Sequence, residues 1–340
     1  MITSEAATTE GPTDERNRMT ANGETTNSET TTGMTANGTA ADGRLTVAVL
    51  GPGGIGGLLA ALLSRSGHRV ICLAGDETAK TLRTGGIRVR SGLFGDFTAE
   101  VEADTELRET VDACLVTVKA TALDTALTRV PPTALGDDAM VVPFLNGVEH
   151  PQALRARYGP HRVAPAVIRA ESTRLAPGEI EHASPFAEID LTGDTAPRDR
   201  LDTLTQALAA AGPTTRVLPD ETAALWAKMS FLAPFALLTT RHALPLGDVR
   251  TRHREELTAL IEETAAISHA SGGPADPAQA LARYDAFPPS TKSSMQRDAE
   301  AGRPLELDAI GGALLRAADR HGVPAPVTAR LVRELGETAH

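Results

Sequence analysis

The 340-residue chain has only two cysteines, Cys72 and Cys114. They show neither metal-ligand spacing nor a disulfide framework, and both fall in strand-like apolar stretches, which points to burial in a reducing cytoplasm. No run approaches the roughly 18 apolar residues of a membrane span. Positive charge is in deficit: 33 Lys and Arg stand against 44 Asp and Glu, a formal net charge of −11. That balance argues against nucleic acid or an anionic membrane as partner, since both are held by a basic face. The expected partner is a small molecule, with the chain itself a monomer or homodimer. Also missing are a G-x-S-x-G elbow and an H-E-x-x-H zinc motif among the nine histidines, so neither a serine-hydrolase site nor a metal is expected.

Residues 1–44 have almost no aliphatic side chains and are rich in Thr, Gly, Asn and Glu. Such a segment cannot offset the entropy of ordering and reads as a disordered tail. "MTANG" occurs twice, at Met19–Gly23 and Met34–Gly38, as low complexity rather than a folded repeat. The tail lacks the apolar core of a signal peptide, and its acidic residues disagree with a transit peptide. Met19 and Met34 are alternative starts.

Order begins at "LTVAVLGPGGIGGLLAALLSRSGHRVICLAG". Leu45–Leu50 is a short apolar strand, Leu58–Ser66 has a helical pattern stopped by Gly67, and Arg69–Leu73 is a second strand. Between strand and helix, "GPGGIG" (Gly51, Pro52, Gly53, Gly54, Ile55, Gly56) fits G-x-G-x-x-G. Gly51 permits the tight turn, Gly53 lets backbone approach a pyrophosphate, and Gly56 allows close helix–strand packing. A helix N-terminus then faces the phosphates with free N–H groups. Asp76 stands 20 residues after Gly56 (76 − 56), where an acidic side chain bonds a ribose 2′-hydroxyl; its alternative is to cap the helix that follows.

Two later strands, "VDACLVTVKA" (111–120) and "AMVVPFLNGVEH" (139–150), end in Lys119 and Asn146. In doubly wound sheets ligands sit beyond the carboxyl ends of strands, so both residues point at a cofactor crevice. Read alone, Lys119 is equally an exposed loop lysine and Asn146–Gly147 an ordinary turn. After a mixed region, helical patterns run over Glu221–Thr240, Arg252–Ser271, Pro277–Tyr284, Ser290–Ala301 and Leu305–His321. The first contains "LWAKMSFLAPFALLTT", with one lysine, Lys228, in an apolar run. It is either a helix-edge lysine snorkelling to water or a group aimed into a cleft. The expected architecture is an α/β Rossmann-like NAD(P)-binding domain over 45–219, then an all-helical catalytic domain over 220–340 with substrate between them.

The ordered motifs "GPGGIGG", "VTVKA", "LNGVEH", "LWAKMS" and "SSMQRDAEAGRPLELDAIGGALLRAADRHGVPAP" resemble those of the ketopantoate reductase family (2-dehydropantoate 2-reductase), from about Leu45 to Thr328. The resemblance implies reduction of a 2-oxo acid by hydride from NADPH, with Lys228 as general acid. It implies Glu306 as the lysine's partner or a ribose contact, Asn146 between nicotinamide and substrate, Ser294 as a substrate contact, and Lys119 near the cofactor. By themselves Glu306 is a first-turn helix acid and Ser294 a polar residue at a helix start.

The chain also departs from the family. Asparagines that hydrogen-bond ketopantoate are replaced by Leu232, Ala236 and Leu246, and another by Gly311. Arg241 or His242 could reach in to substitute for them. The arginine expected for a 2′-phosphate is replaced by Gly75, followed by Asp76, which favours NAD(H) alongside NADP(H); Lys80 or Arg83 could meet the phosphate instead. The rival reading is a non-catalytic dinucleotide-binding redox sensor that kept the fold.

Overall fold

The computed structural model describes residues 43–338; the expected tail, its repeat and the alternative starts lie almost wholly outside the described residues. In chain order the elements are β1 (Thr46–Leu50), α1 (Gly54–Arg65), β2 (Arg69–Leu73), α2 (Asp76–Gly85), β3 (Ile87–Ser91), β4 (Phe97–Ala99), β5 (Glu102–Asp104) and β6 (Ala113–Val116). There follow α3 (Leu123–Leu127), β7 (Met140–Pro143), α4 (His150–Tyr158), β8 (Ala166–Arg169), β9 (Ser172–Ala176), β10 (Glu179–His182), β11 (Glu188–Leu191), α5 (Arg198–Ala210) and β12 (Thr214–Val217). From there the chain is helical: α6 (Glu221–His242), α7 (Leu246–Arg252), α8 (Arg254–Ala270), α9 (Pro277–Ala286), α10 (Ser294–Glu300), a π-helical turn (Asp308–Gly312), α11 (Ala313–His321) and α12 (Pro326–Thr338).

The first sheet is parallel throughout, in the order β5-β2-β1-β6-β7. Its central strands are continuous apolar runs because helices and loops cover both faces. One face packs Val47, Val49 and Leu115 against Leu59, Leu62 and Leu63 of α1, and the other packs Ala48, Leu50 and Cys114 against Leu123, Leu127 and Leu154. Both cysteines are fully buried, and burial pushes each thiol up to about 12.

α1 begins four residues before the pattern's first leucine, at Gly54, because backbone rather than a side chain starts it. It ends where Gly67, at φ 96°, lets the N–H of His68 reach the Leu63 carbonyl. The mixed region resolves into two smaller sheets, β4-β3-β10-β9 and β12-β11-β8. In the second, Asp190 of β11 is buried between Arg169 (2.6 Å) and Arg216 (2.5 Å).

α6 is the axis of the helical part. Trp226, Met229, Ala233, Ala236, Leu237 and Leu238 are buried where α6 packs against α8, α10, the π-helical turn and α12. Among the described residues it alone is long and apolar enough to cross a membrane, yet most of that stretch is covered by the protein's own helices. Pro234 sits within it. Two helices exceed the pattern: α7, whose short polar "LGDVRTR" carries no clear period, and α12, whose first turn is capped by Glu263 through the N–H groups of Val327 and Thr328.

Candidate active site

At the glycine-rich turn, Gly51 has φ 87° and its N–H donates to the Leu73 carbonyl. A side chain there would run into Val118. Gly56 touches Thr117 and the Gly51 carbonyl, and Gly54 touches the backbone of Ser172, so any Cβ at either would collide. Gly53 is different: a Cβ there would meet only the Gly51 carbonyl oxygen, at an ordinary 3.9 Å. No side chain caps α1, and no acidic residue occupies its first turn. An open, uncapped N-terminus of this kind suits a pyrophosphate. Asp76 is exposed in the first turn of α2, where it makes no capping hydrogen bond. Lys80 is exposed one turn further on, and Arg83 is tied to the Ala103 carbonyl.

The carboxyl ends of β6 and β7 meet the helical part at Glu306. This residue is only 6% exposed. Its Oε1 accepts the backbone N–H of Ala120 at 3.0 Å, and its Oε2 accepts Asn146 Nδ2 at 2.9 Å. Gly147, at φ 93°, lets the turn after β7 press on the π-helical turn: a Cβ there would lie 2.6 Å from the Ala309 carbonyl oxygen. π-Helical turns are rare and gather at functional sites; here one follows Glu306 directly.

Lys228 lies two turns into α6, half-buried, while its neighbours Trp226 and Met229 are buried. Burial drives its ammonium down to about 8; Glu306 opposes the fall and Arg169 adds to it. The structure thus brings Lys228, Glu306 and Asn146 into one cluster. Arg169 and His150 also act electrostatically with Lys228, and sequence reasoning gave neither a role. The only signal was that His150 ends "LNGVEH"; nothing in the sequence placed Arg169.

Lys119 is paired with the buried Asp298 of α10, at 2.6 Å, and Asp298 also holds Arg303 at 2.9 Å. Ser294 is the exposed first residue of α10. Capping falls to its neighbour Ser293, which accepts from Gln296 N–H and from Thr239 of α6. Of the four positions that replace family asparagines, Ala236, Leu246 and Gly311 are buried in the helical core and only Leu232 keeps exposed surface. Arg241 and His242 do not substitute: Arg241 pairs with Glu334 and His242 with Glu256.

A parallel sheet with an open glycine-rich turn, joined to a helical part through a lysine–glutamate cluster, is the arrangement of a dinucleotide-dependent oxidoreductase. Comparison with known proteins gives the family. The ketopantoate reductase PanE/ApbA family matches residues 47–192, and its C-terminal counterpart matches residues 220–338. The chain belongs to the ketopantoate reductase family. It is 29% identical over 288 residues to the uncharacterized oxidoreductase YkpB of Bacillus subtilis (strain 168), covering 82% of this chain and 94% of that one. It is 28% identical over 303 residues to a 2-dehydropantoate 2-reductase of Caulobacter vibrioides, covering 86% and 99%. The crystal structure of 2-dehydropantoate 2-reductase from Methylococcus capsulatus superposes with a TM-score of 0.78 at 27% identity, over 87% of this chain and 98% of that one.

Proposed function

We propose that the protein reduces a 2-oxo acid to the 2-hydroxy acid, with Lys228 as the general acid. The observation that carries this reading is a half-buried ammonium held down to about 8 beside a carboxylate fixed by two hydrogen bonds. Such an ammonium is protonated at neutral pH and gives up its proton more readily than an exposed lysine.

Residues 45–219 hold NADP(H) or NAD(H), with the Gly51–Gly56 turn and the start of α1 around the pyrophosphate. The bound nicotinamide supplies the hydride. Asn146 lies between nicotinamide and substrate, Glu306 orients Lys228 or contacts the cofactor ribose, and Lys119 lies near the cofactor. Asp76 favours a ribose 2′-hydroxyl over a 2′-phosphate, which makes NADH usable. In the helical part, residues 220–340, Ser294 binds the substrate carboxylate and Lys228 donates to the carbonyl oxygen as its carbon becomes tetrahedral.

Leu232, the one replaced position that keeps exposed surface, offers no side-chain donor or acceptor. This supports an alkyl 2-oxo acid over ketopantoate itself. The test is NADPH and NADH oxidation with a panel of 2-oxo acids, run in parallel on wild type and Lys228→Ala. Turnover that needs Lys228 upholds the reading. Cofactor binding with no turnover of any oxo acid would make the chain a dinucleotide sensor instead.

A further inference from the structure

His150 is 7% exposed, and neither of its ring nitrogens has a hydrogen-bond partner among the described residues. Buried polar groups are as a rule hydrogen-bonded, so an imidazole in this state calls for a partner.

The surroundings of His150 are fixed from two sides. The preceding residue, Glu149, is clamped by Arg316 of the helical part at 2.7 Å. Five positions on, Arg155 makes a two-pronged pair with Glu221 in the first turn of α6, at 2.7 and 2.6 Å. Lys228 stands two turns beyond Glu221 on the same helix. Val148, Val167, Ala224 and Leu225 form a small apolar cluster at this junction. The charged groups acting on His150 are Lys228 and Arg155; those acting on Lys228 are Glu306 and, from β8, Arg169.

Burial, then Lys228, then Arg155 push the imidazole down to about 3, so it is neutral at every working pH. A neutral imidazole has one acceptor nitrogen and one donor. Lys228, whose charge acts on this imidazole, makes no hydrogen bond with the described residues in this structure and has ammonium hydrogens to give.

We propose that His150 is a positioning residue for Lys228: its acceptor nitrogen takes one ammonium hydrogen when substrate enters, leaving another aimed at the substrate carbonyl oxygen. The proposal rests on Lys228 being the acid. No covalent bond changes at His150. It holds the lysine on the cleft side of α6 and stabilises the charged form without adding a charge of its own. Glu306 steadies the same ammonium from the opposite part of the fold.

Two substitutions separate positioning from packing. His150→Phe keeps a buried ring and removes both nitrogens; His150→Gln keeps an acceptor and removes the ring. Removing an acceptor disfavours the ammonium, so in His150→Phe the alkaline limb of kcat should move down by about one pH unit, with kcat at pH 8 down roughly fivefold. His150→Gln should keep the wild-type limb. A second readout needs no turnover: with a 2-oxo acid and the oxidised dinucleotide bound, the pH at which Lys228 becomes reactive to acetic anhydride, followed by peptide mass mapping, should fall by the same amount in His150→Phe only.

Cofactor affinity should be unchanged in both. A wild-type limb and wild-type Lys228 reactivity in His150→Phe, with Lys228→Ala inactive, overturns the role of His150 while leaving the acid in place. Normal turnover by Lys228→Ala overturns both. If His150→Phe fails to fold, the Gln variant decides: a wild-type limb supports the proposal, and a limb shifted downward overturns it.

Discussion

Asn146 and Glu306 lie 160 positions apart in sequence and are joined by a 2.9 Å hydrogen bond, the amide donating to the carboxylate. The other carboxylate oxygen is taken by the Ala120 N–H. Two loops at the ends of parallel strands therefore aim one buried carboxylate, which opposes the loss of the nearby Lys228 proton.

The pH profile follows from this arrangement. Lys228 must be protonated to donate, so kcat for carbonyl reduction should be level below about 8 and fall above it. An opposite charge favours the ammonium. Glu306→Gln should therefore move the alkaline break to lower pH. A break that stays in place, or moves up, would show that Glu306 does not act on the lysine in solution.

Removing the lysine should cost rate and spare binding. Lys228→Ala is expected to lower kcat on the order of a hundredfold or more, because the lost hydrogen bond is stronger in the transition state. Affinity for the dinucleotide, read by fluorescence titration, should change little. Near-normal kcat would return Lys228 to the role of a surface lysine.

Substrate choice should track the apolar side of the cleft. Burying ketopantoate's terminal hydroxyl without a partner costs about 1–3 kcal/mol, or roughly ten- to a hundredfold in kcat/KM against an alkyl 2-oxo acid of similar size. Leu232 is the one replaced position with exposed surface, so Leu232→Asn should narrow that gap. Ketopantoate outperforming the alkyl acids in the wild type would defeat the argument.

Cofactor choice should turn on the first turn of α2. Asp76 is exposed there, and a carboxylate repels a 2′-phosphate. Asp76→Ala should lower the KM for NADPH severalfold and leave that for NADH unchanged or raised. Parallel titrations in which both values move together would mean that Asp76 points away from the ribose.

Asp190 should matter for stability rather than turnover alone. Burial works to raise its pKa, but hydrogen bonds from Arg216 and Arg169 outweigh it and the net shift is downward. A carboxyl held below its unfolded value of about 3.9 contributes stability that is complete above that pH and lost as pH falls through the lower folded value. Asp190→Asn removes the charge held between two partly exposed arginines and should cost about 1–3 kcal/mol at pH 7 by urea denaturation. The deficit should shrink in acid, where the wild type loses the same charge; a deficit constant down to pH 2 would assign it to packing.

What could be read directly from the residues was local. The strand, glycine turn, helix and second strand of Leu45–Leu73 were legible because each signal sits within a few positions of its consequence: an apolar run, a glycine where φ is positive, a periodic leucine pattern. Lys228 was legible for a similar reason, as one charge in an apolar helix. The start of α1 was misjudged because a glycine run carries no apolar period. α7 went unseen because its short polar segment carries no clear period.

Sequence by itself determined the first βαβ unit, the later apolar strands, most of the C-terminal helices and a shortlist of polar residues at strand and helix ends. The tertiary structure alone decided which of those residues meet. Glu306 is held by groups 160 and 186 positions away, Lys119 is paired with Asp298, and Arg169 and His150 join Lys228 from separate elements. Hydrogen bonds and charges act over a few ångströms of space, whereas sequence patterns register only neighbours along one helix or strand. The pKa of Lys228 is accordingly a property of the packing around it.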